Sequence, residues 1–320
     1  MKMNFARILL AVMMLGHILT YAQKNTENID GVYKVSDAAF VINKNKTFLV
    51  IAYGTLIKGT WSIKKDLIEL KPQNPDAKFY VYARKNPNIK TGMRIGFSGD
   101  KIGNSGILVG EFPNKMQPLF NEDANCFDFP YVHVFKEKPA TLSLLEEQNY
   151  ENEMGVEIPK LIYNFPTGDY NDFIVQHMQD GLYHNDFIFK MTKDGSSLVD
   201  DSGKPLRKST VKEAFPHEEE LKFMEGAFNR AFDADYKLVN NAYNTHDDMD
   251  QEIDLEYYKY DAQKNVYVNP AVPAKQLNYK SEDYHYNEVL MKFDKIKGTS
   301  QSQVAVKPLT NSVFTAKCNR

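Results

Sequence analysis

The chain has 320 residues, 42% of them hydrophobic and 12% aromatic, which is enough apolar material for a sizeable core. Its 39 Lys and Arg stand against 42 Asp and Glu, a net charge of −3 with no basic patch, so nucleic acid is not an expected partner. The length favours one large domain or two ordinary ones.

Met1 to Arg7 carries Lys2 and Arg7, and Ile8 to Leu19 is an apolar run broken only by Gly16 and His17. Thr20-Tyr21-Ala22 then sets small residues where a signal peptidase requires them, so residues 1–22 read as a secretory signal peptide cleaved after Ala22. The run is too short for a hydrocarbon layer that needs about twenty residues, and no later segment approaches that length and apolarity. A periplasmic or secreted address is therefore expected, with no membrane span after cleavage. The only cysteines are Cys126 and Cys318, neither placed beside the cleavage site to accept a lipid, so a lipid anchor is not expected. In an oxidising compartment these two either form one disulfide or remain thiols, and their spacing leaves both open. Loss of Lys2 and Arg7 takes the net charge from −3 to −5.

From Gly31 to about Lys136 the hydrophobic period is two, with polar turns at Asn43–Lys46 and Lys64–Asp66. Strands are expected at Gly31–Ser36, Thr47–Tyr53, Leu56–Ile63, Ile68–Leu70, Phe79–Ala83, Met93–Phe97, Ile107–Val109 and Phe129–Phe135. Short strands at this spacing indicate an antiparallel barrel or sandwich over 23–138. Trp61, the only tryptophan, reads either as a stacking platform at a ligand cavity or as a core plug. Tyr80 and Tyr82 alternate with Phe79 and Val81, so they either line a ligand-binding surface or cover the outside of a sheet.

Gly31-x-Tyr33, Phe48, Gly59-Thr60-Trp61-x-Ile63 and Leu67-Ile-Glu-Leu70 together resemble the meander of bacterial lipocalin-like envelope proteins. The resemblance covers residues 31–70 and implies a barrel, not a particular ligand. It departs from true lipocalins in placing two strands before the Gly-x-Trp. The Ala-Gln signal end and the Lys-, Asn- and Tyr-rich body are similar to secreted proteins of the Bacteroidetes group.

Leu142–Gln148 reads as a short helix-like stretch in an acidic connector over 139–160, beyond which a second β-rich region runs to residue 320. Strands are expected at Leu161–Tyr163, Phe173–Val175 and Asp186–Met191, with turns at Asp194-Gly195 and Asp200–Gly203. His177 and His184, with Asp169 and Asp172 upstream, offer acid–base groups but no nucleophile. Thr210-x-x-Glu213 is a capping box leading into a short turn. Pro216, Glu218–Glu220 and the stripe Leu221, Met224, Phe228, Phe232 predict one amphipathic helix over about 216–233.

His246, Asp248, Asp250, Glu252 and Asp254 form the densest oxygen-rich run. It suits calcium, although it lacks the turn glycine of known calcium loops, and a solvated acidic edge explains it as well. No cofactor is otherwise expected. The tail is rich in tyrosine, from Tyr257 to Tyr286, with a hairpin at Lys259–Tyr267 and strands at Val289–Phe293 and Val304–Val306.

The fold expectation is a mainly β protein: a lipocalin-like antiparallel meander or barrel, then a β-rich region with one helix. With no hydrolase, metalloprotease or phosphate-loop motif present, the functional expectation is a non-enzymatic exported protein binding a small molecule, glycan or envelope protein. The alternative is a hydrolase of an envelope polymer, possibly metal-dependent, using the acidic and histidine residues of the second half.

Overall fold

A computed structural model describes residues 29–35, 38–52, 55–99, 102, 106–122, 126–146, 161–178, 186–200, 202–217, 219–220, 222, 226, 234–244, 257–302 and 306–318. The protein is mainly β, as its period-two patterning requires. Strands β1 (Gly31–Val35), β2 (Ala38–Ile42), β3 (Thr47–Ala52), β4 (Thr55–Lys64) and β5 (Leu67–Pro72) open the chain as a meander. Next come β6 (Phe79–Arg84), β7 (Met93–Ser98), β8 (Ile107–Glu111), β9 (Lys115–Pro118) and β10 (Tyr131–Phe135). They are followed by β11 (Thr141–Glu146), β12 (Leu161–Pro166) and β13 (Asp172–His177). The short strands β14 (Phe187–Met191), β15 (Leu198–Val199) and β16 (Lys208–Ser209) precede a helix, α1 (Val211–Ala214). The described chain closes with β17 (Tyr236–Val239), β18 (Lys259–Asp261), β19 (Val266–Val268), β20 (Val289–Ile296) and β21 (Thr299–Ser302).

These elements fall into two compact units, Met1–Asn74 with Gly181–Arg230, and Pro75–Asp180 with Ala231–Arg320. A connector over 139–160 is therefore not the boundary, because β11 and β12 on either side of it pair with each other. The helix-like reading of Leu142–Gln148 is corrected as well. Thr141–Glu146 is a strand held between β8 and β12, and that pairing overrides the helical preference of its Leu and Glu residues.

The first unit is one eight-stranded sheet in the order β15-β14-β5-β4-β3-β2-β1-β16. Its curl follows from the ring contacts. Phe40 on β2 meets Phe187 and Phe189 on β14 at 5.5 and 4.9 Å, although three strands lie between them in the sheet. A flat sheet would hold them several strand spacings of about 4.8 Å apart. The concave face is filled by Tyr33, Phe48, Val50, Trp61, Ile68, Leu70 and Leu198. On the other face Val32, Val41 and Leu49 are covered by Val211, Ala214 and Phe215 from α1 and its end, which is why β3 is apolar on both sides. The capping box forms as its spacing predicts: the Thr210 hydroxyl takes the Glu213 amide, and the Glu213 carboxylate takes the Thr210 amide at 2.8 Å. The helix expected over 216–233 lies mostly outside the described residues; Glu219, Glu220, Lys222 and Gly226 within it are helical.

The second unit stacks two sheets. One runs β10-β7-β13-β6-β20-β19-β18, with β17 also on β20, and the other runs β21-β12-β11-β8-β9. Alternate residues of β6, β7 and β13 (Phe79, Val81, Ile95, Phe97, Phe173, Val175) pack on Val109, Leu142, Leu144 and Phe165 of the second sheet. The opposite face of the larger sheet carries Tyr80, Tyr82, Ile174, Val239, Met291 and Phe293 and packs against Tyr243. Both faces of β6 are consequently buried. Cys126 and Cys318 come together as a disulfide pair, with Cα atoms 5.7 Å apart, and tie the C-terminal tail to the segment before β10. Among the described residues no helix is long and apolar enough to cross a membrane.

Candidate functional site

The larger sheet of the second unit builds the site at one end of β13. Asp172 is the first residue of that strand, and its register sets it opposite Arg84 of antiparallel β6 and Arg94 of parallel β7. Residues in register on neighbouring strands share a face, so both guanidinium groups reach the one carboxylate. Arg84 Nε donates to Asp172 Oδ2 at 2.9 Å, Arg94 Nη2 donates to the same oxygen at 3.2 Å, and Arg94 Nε donates to Oδ1 at 3.3 Å. Asn86 Nδ2 adds a bond of 2.7 Å, and the Tyr243 hydroxyl donates to Oδ1.

Asp172 has no solvent exposure. Burial alone would push its carboxyl up, but the Arg84 charge, the bond and charge of Arg94 and the Tyr243 bond outweigh it and hold the pKa below its usual value. Burial and the Asp172 charge push the Tyr243 hydroxyl well above the ordinary tyrosine range, so it stays protonated as a donor. The cluster holds two cations and one anion, a surplus of positive charge.

Tyr243 reaches Asp172 through an unusual backbone. Its φ of 63° is left-handed, a costly region for a residue with a bulky side chain. Asn240 and Asn244 close the turn around it: Asn240 N donates to Asn244 O at 3.1 Å, and Asn244 N donates to Asn240 Oδ1 at 3.0 Å. The ring then lies over Gly96 of β7, where a Cβ would run into it. Arg94 stacks on that ring at 4.8 Å.

Around Arg94 opens a cleft of about 700 Å³, lined by Phe129, Pro130, Val132, Asn241, Ala242, Tyr243, Glu282 and Tyr284. The Phe129 and Tyr284 rings meet edge to face at 5.4 Å. Asn240 Nδ2 and Asn244 Nδ2 donate to Tyr284 O at 2.8 and 3.0 Å, which fastens the loop carrying Glu282 and Tyr284 to the Tyr243 turn. A quarter of the Arg94 side chain is exposed in this cleft. The arrangement offers a fixed cation at the foot of apolar and aromatic walls, and volumes of this order hold small molecules.

The residues singled out in the sequence lie elsewhere. Trp61 is 5% exposed and sits in the filled concave face of the first unit, its Nε1 donating to Asn43 O at 2.9 Å and Lys46 over its ring. It is therefore packed into a core cluster with Phe48, Ile68 and Leu70. Tyr80 and Tyr82 are 4% and 0% exposed and cover no outer surface. The strand is flanked on both sides and packed on both faces, which buries both residues. The run His246, Asp248, Asp250, Glu252 and Asp254, and also His184, lies outside the described residues. Among the described residues no three His, Cys, Asp or Glu side chains converge on a metal position.

His177 is buried on a second charged cluster. Lys78 Nζ donates to Glu146 Oε2 at 2.6 Å, and His177 Nε2 comes within 3.5 Å of that oxygen, at the limit of hydrogen-bond reach and poorly aligned. Burial pushes the Glu146 carboxyl up, but His177 and Lys78 together hold it down at about 2. Asp169 is exposed beside Lys85. Sequence reasoning missed Arg94, Tyr243, Phe129 and Glu282. The available signals were weak: Asn240-Asn241 marks a turn, and an isolated Gly96 within a strand marks a close approach. Compared with protein-family models, curated proteins and solved structures, the chain matches none.

Proposed function

We propose that this chain is an exported, non-enzymatic ligand-binding protein of the cell envelope, and that its ligand occupies the cleft of the second unit. The observation that carries the reading is Arg94, whose side chain is a quarter exposed, bonded to a fully buried carboxylate and lining a cleft with aromatic and aliphatic walls. A cation fixed before the ligand arrives loses little entropy on binding. Among the described lining residues the acid–base repertoire is small: Tyr243 is held protonated, and Glu282 lies on the exposed loop.

Export is supported by the signal-peptide pattern of residues 1–22 and by the Cys126–Cys318 pair, since disulfides persist in oxidising compartments. N-terminal sequencing of the exported protein should begin at Gln23; a protein retaining Met1 and found only in the cytoplasm contradicts export. The lipocalin-like resemblance of residues 31–70 accords with an envelope protein. The ligand is nevertheless assigned to the second unit, because side chains fill the concave face of the first.

The test is a thermal-shift screen of small molecules on the purified protein, with hits repeated on Arg94→Gln and Phe129→Ala. Saturable stabilisation that weakens in both variants is expected. No stabilising compound, or stabilisation untouched by either change, overturns the reading.

A further inference from the structure

We infer that the cleft selects a small ligand with one carboxylate on a flat, apolar body; the inference rests on the cleft being the binding site. Arg94 spends one edge of its guanidinium on Asp172, through Nε and Nη2. The donors not bonded to Asp172, Nη1 and the second Nη2 hydrogen, form the planar fork that a carboxylate matches with two parallel bonds, and Tyr243 shares a further bond with the same guanidinium. Arg84 contributes the charge that makes this possible. It neutralises Asp172 from the buried side, so the charge of Arg94 is not used up internally.

The walls define the remainder of the ligand. Phe129 is 44% exposed and stands edge to face against Tyr284, and Pro130, Val132 and Ala242 complete an apolar lining. These two touching rings, set at right angles, offer a flat ligand ring a face to stack on and an edge to meet, against the pair and not between them. A phosphate fits less well. Arg94 is the single cation among the described lining residues, and Glu282 sets a negative charge on the rim that penalises a dianion. No Gly-rich anion cradle lines the cleft in the described residues either.

Calorimetric titration of the purified protein with phenylacetate, phenylacetamide, acetate and phenyl phosphate separates these terms. Phenylacetate is expected to bind at least about tenfold tighter than its neutral amide, because a bond to a charged group is at stake. Acetate, lacking the ring, should bind similarly weakly. Arg94→Gln is expected to abolish the preference of phenylacetate over phenylacetamide, and Phe129→Ala, at an exposed position, to weaken both about equally. Glu282→Gln should strengthen phenylacetate by a factor of about two, the scale of a screened surface charge. Equal binding of the amide, or tighter binding of phenyl phosphate, overturns the carboxylate inference and leaves the ligand-binding reading standing. Absence of binding by all four overturns the inference, and absence of any hit in the wider screen overturns the binding reading with it.

Discussion

Asp172 is the residue on which the buried charge cluster of Arg84 and Arg94 depends. A fully buried carboxylate with two arginines, an asparagine and a tyrosine has every neighbour arranged for its ionised form. Asp172→Asn is expected to cost about 3 kcal/mol or more, since it leaves two guanidinium groups without their counter-charge; urea denaturation at neutral pH measures it. Glu146 has a second, pH-dependent role. Its folded pKa of about 2 lies below the ordinary 4.5, so its contribution is complete above 4.5 and is lost as pH falls toward 2. That contribution is on the order of 3 kcal/mol. Glu146→Gln should lower stability at neutral pH and flatten the dependence between pH 4.5 and about 2; an unchanged acid profile contradicts the assignment. Neither cluster was legible in the sequence. Asp172 stood out only as an acid near His177, because its partners lie 71 to 88 residues away and are delivered by strand register.

At the scale of elements, strand existence was the most legible feature and strand neighbours the least. Ile57, Trp61 and Ile63 alternate with Lys58, Thr60 and Ser62 as a half-buried strand must, and β4 carries that pattern. Gly59 of the Gly-x-Trp has a steric reason: a Cβ there would collide with Lys71 O and stand 2.7 Å from the Phe48 ring. In β11, by contrast, helix-forming residues were drafted into a strand by partners on both edges, which no local signal announces. Trp61→Phe should cost about 1 kcal/mol through the lost indole bond to Asn43, and Trp61→Ala about 3–5 kcal/mol through the cavity. As the chain's only tryptophan it is also a clean probe. Its fluorescence should be that of a buried indole, weakly quenched by acrylamide and insensitive to ligands of the cleft.

For the whole molecule, two units built from interleaved pieces of chain explain why a single boundary near residue 139 was the natural reading and did not hold. The chain leaves the first unit at Asn74 and returns at Gly181, and a composition scan sees only continuous strands there. The Cys126–Cys318 pair lies within the second unit and spans 192 residues. Long closed loops restrict the unfolded chain most, so replacing both cysteines by serine should cost about 5 kcal/mol. Oxidised and reduced protein compared by denaturation gives that figure, and equal stability contradicts it.

Hydrogen exchange read by mass spectrometry, with and without saturating phenylacetate, tests the assignment of the cleft most directly. Slowed exchange is expected in peptides spanning residues 129–134, 240–244 and 281–286, the three segments that wall Arg94, with residues 31–70 unchanged. Protection confined to residues 31–70, or spread with no focus on those three segments, would contradict the account.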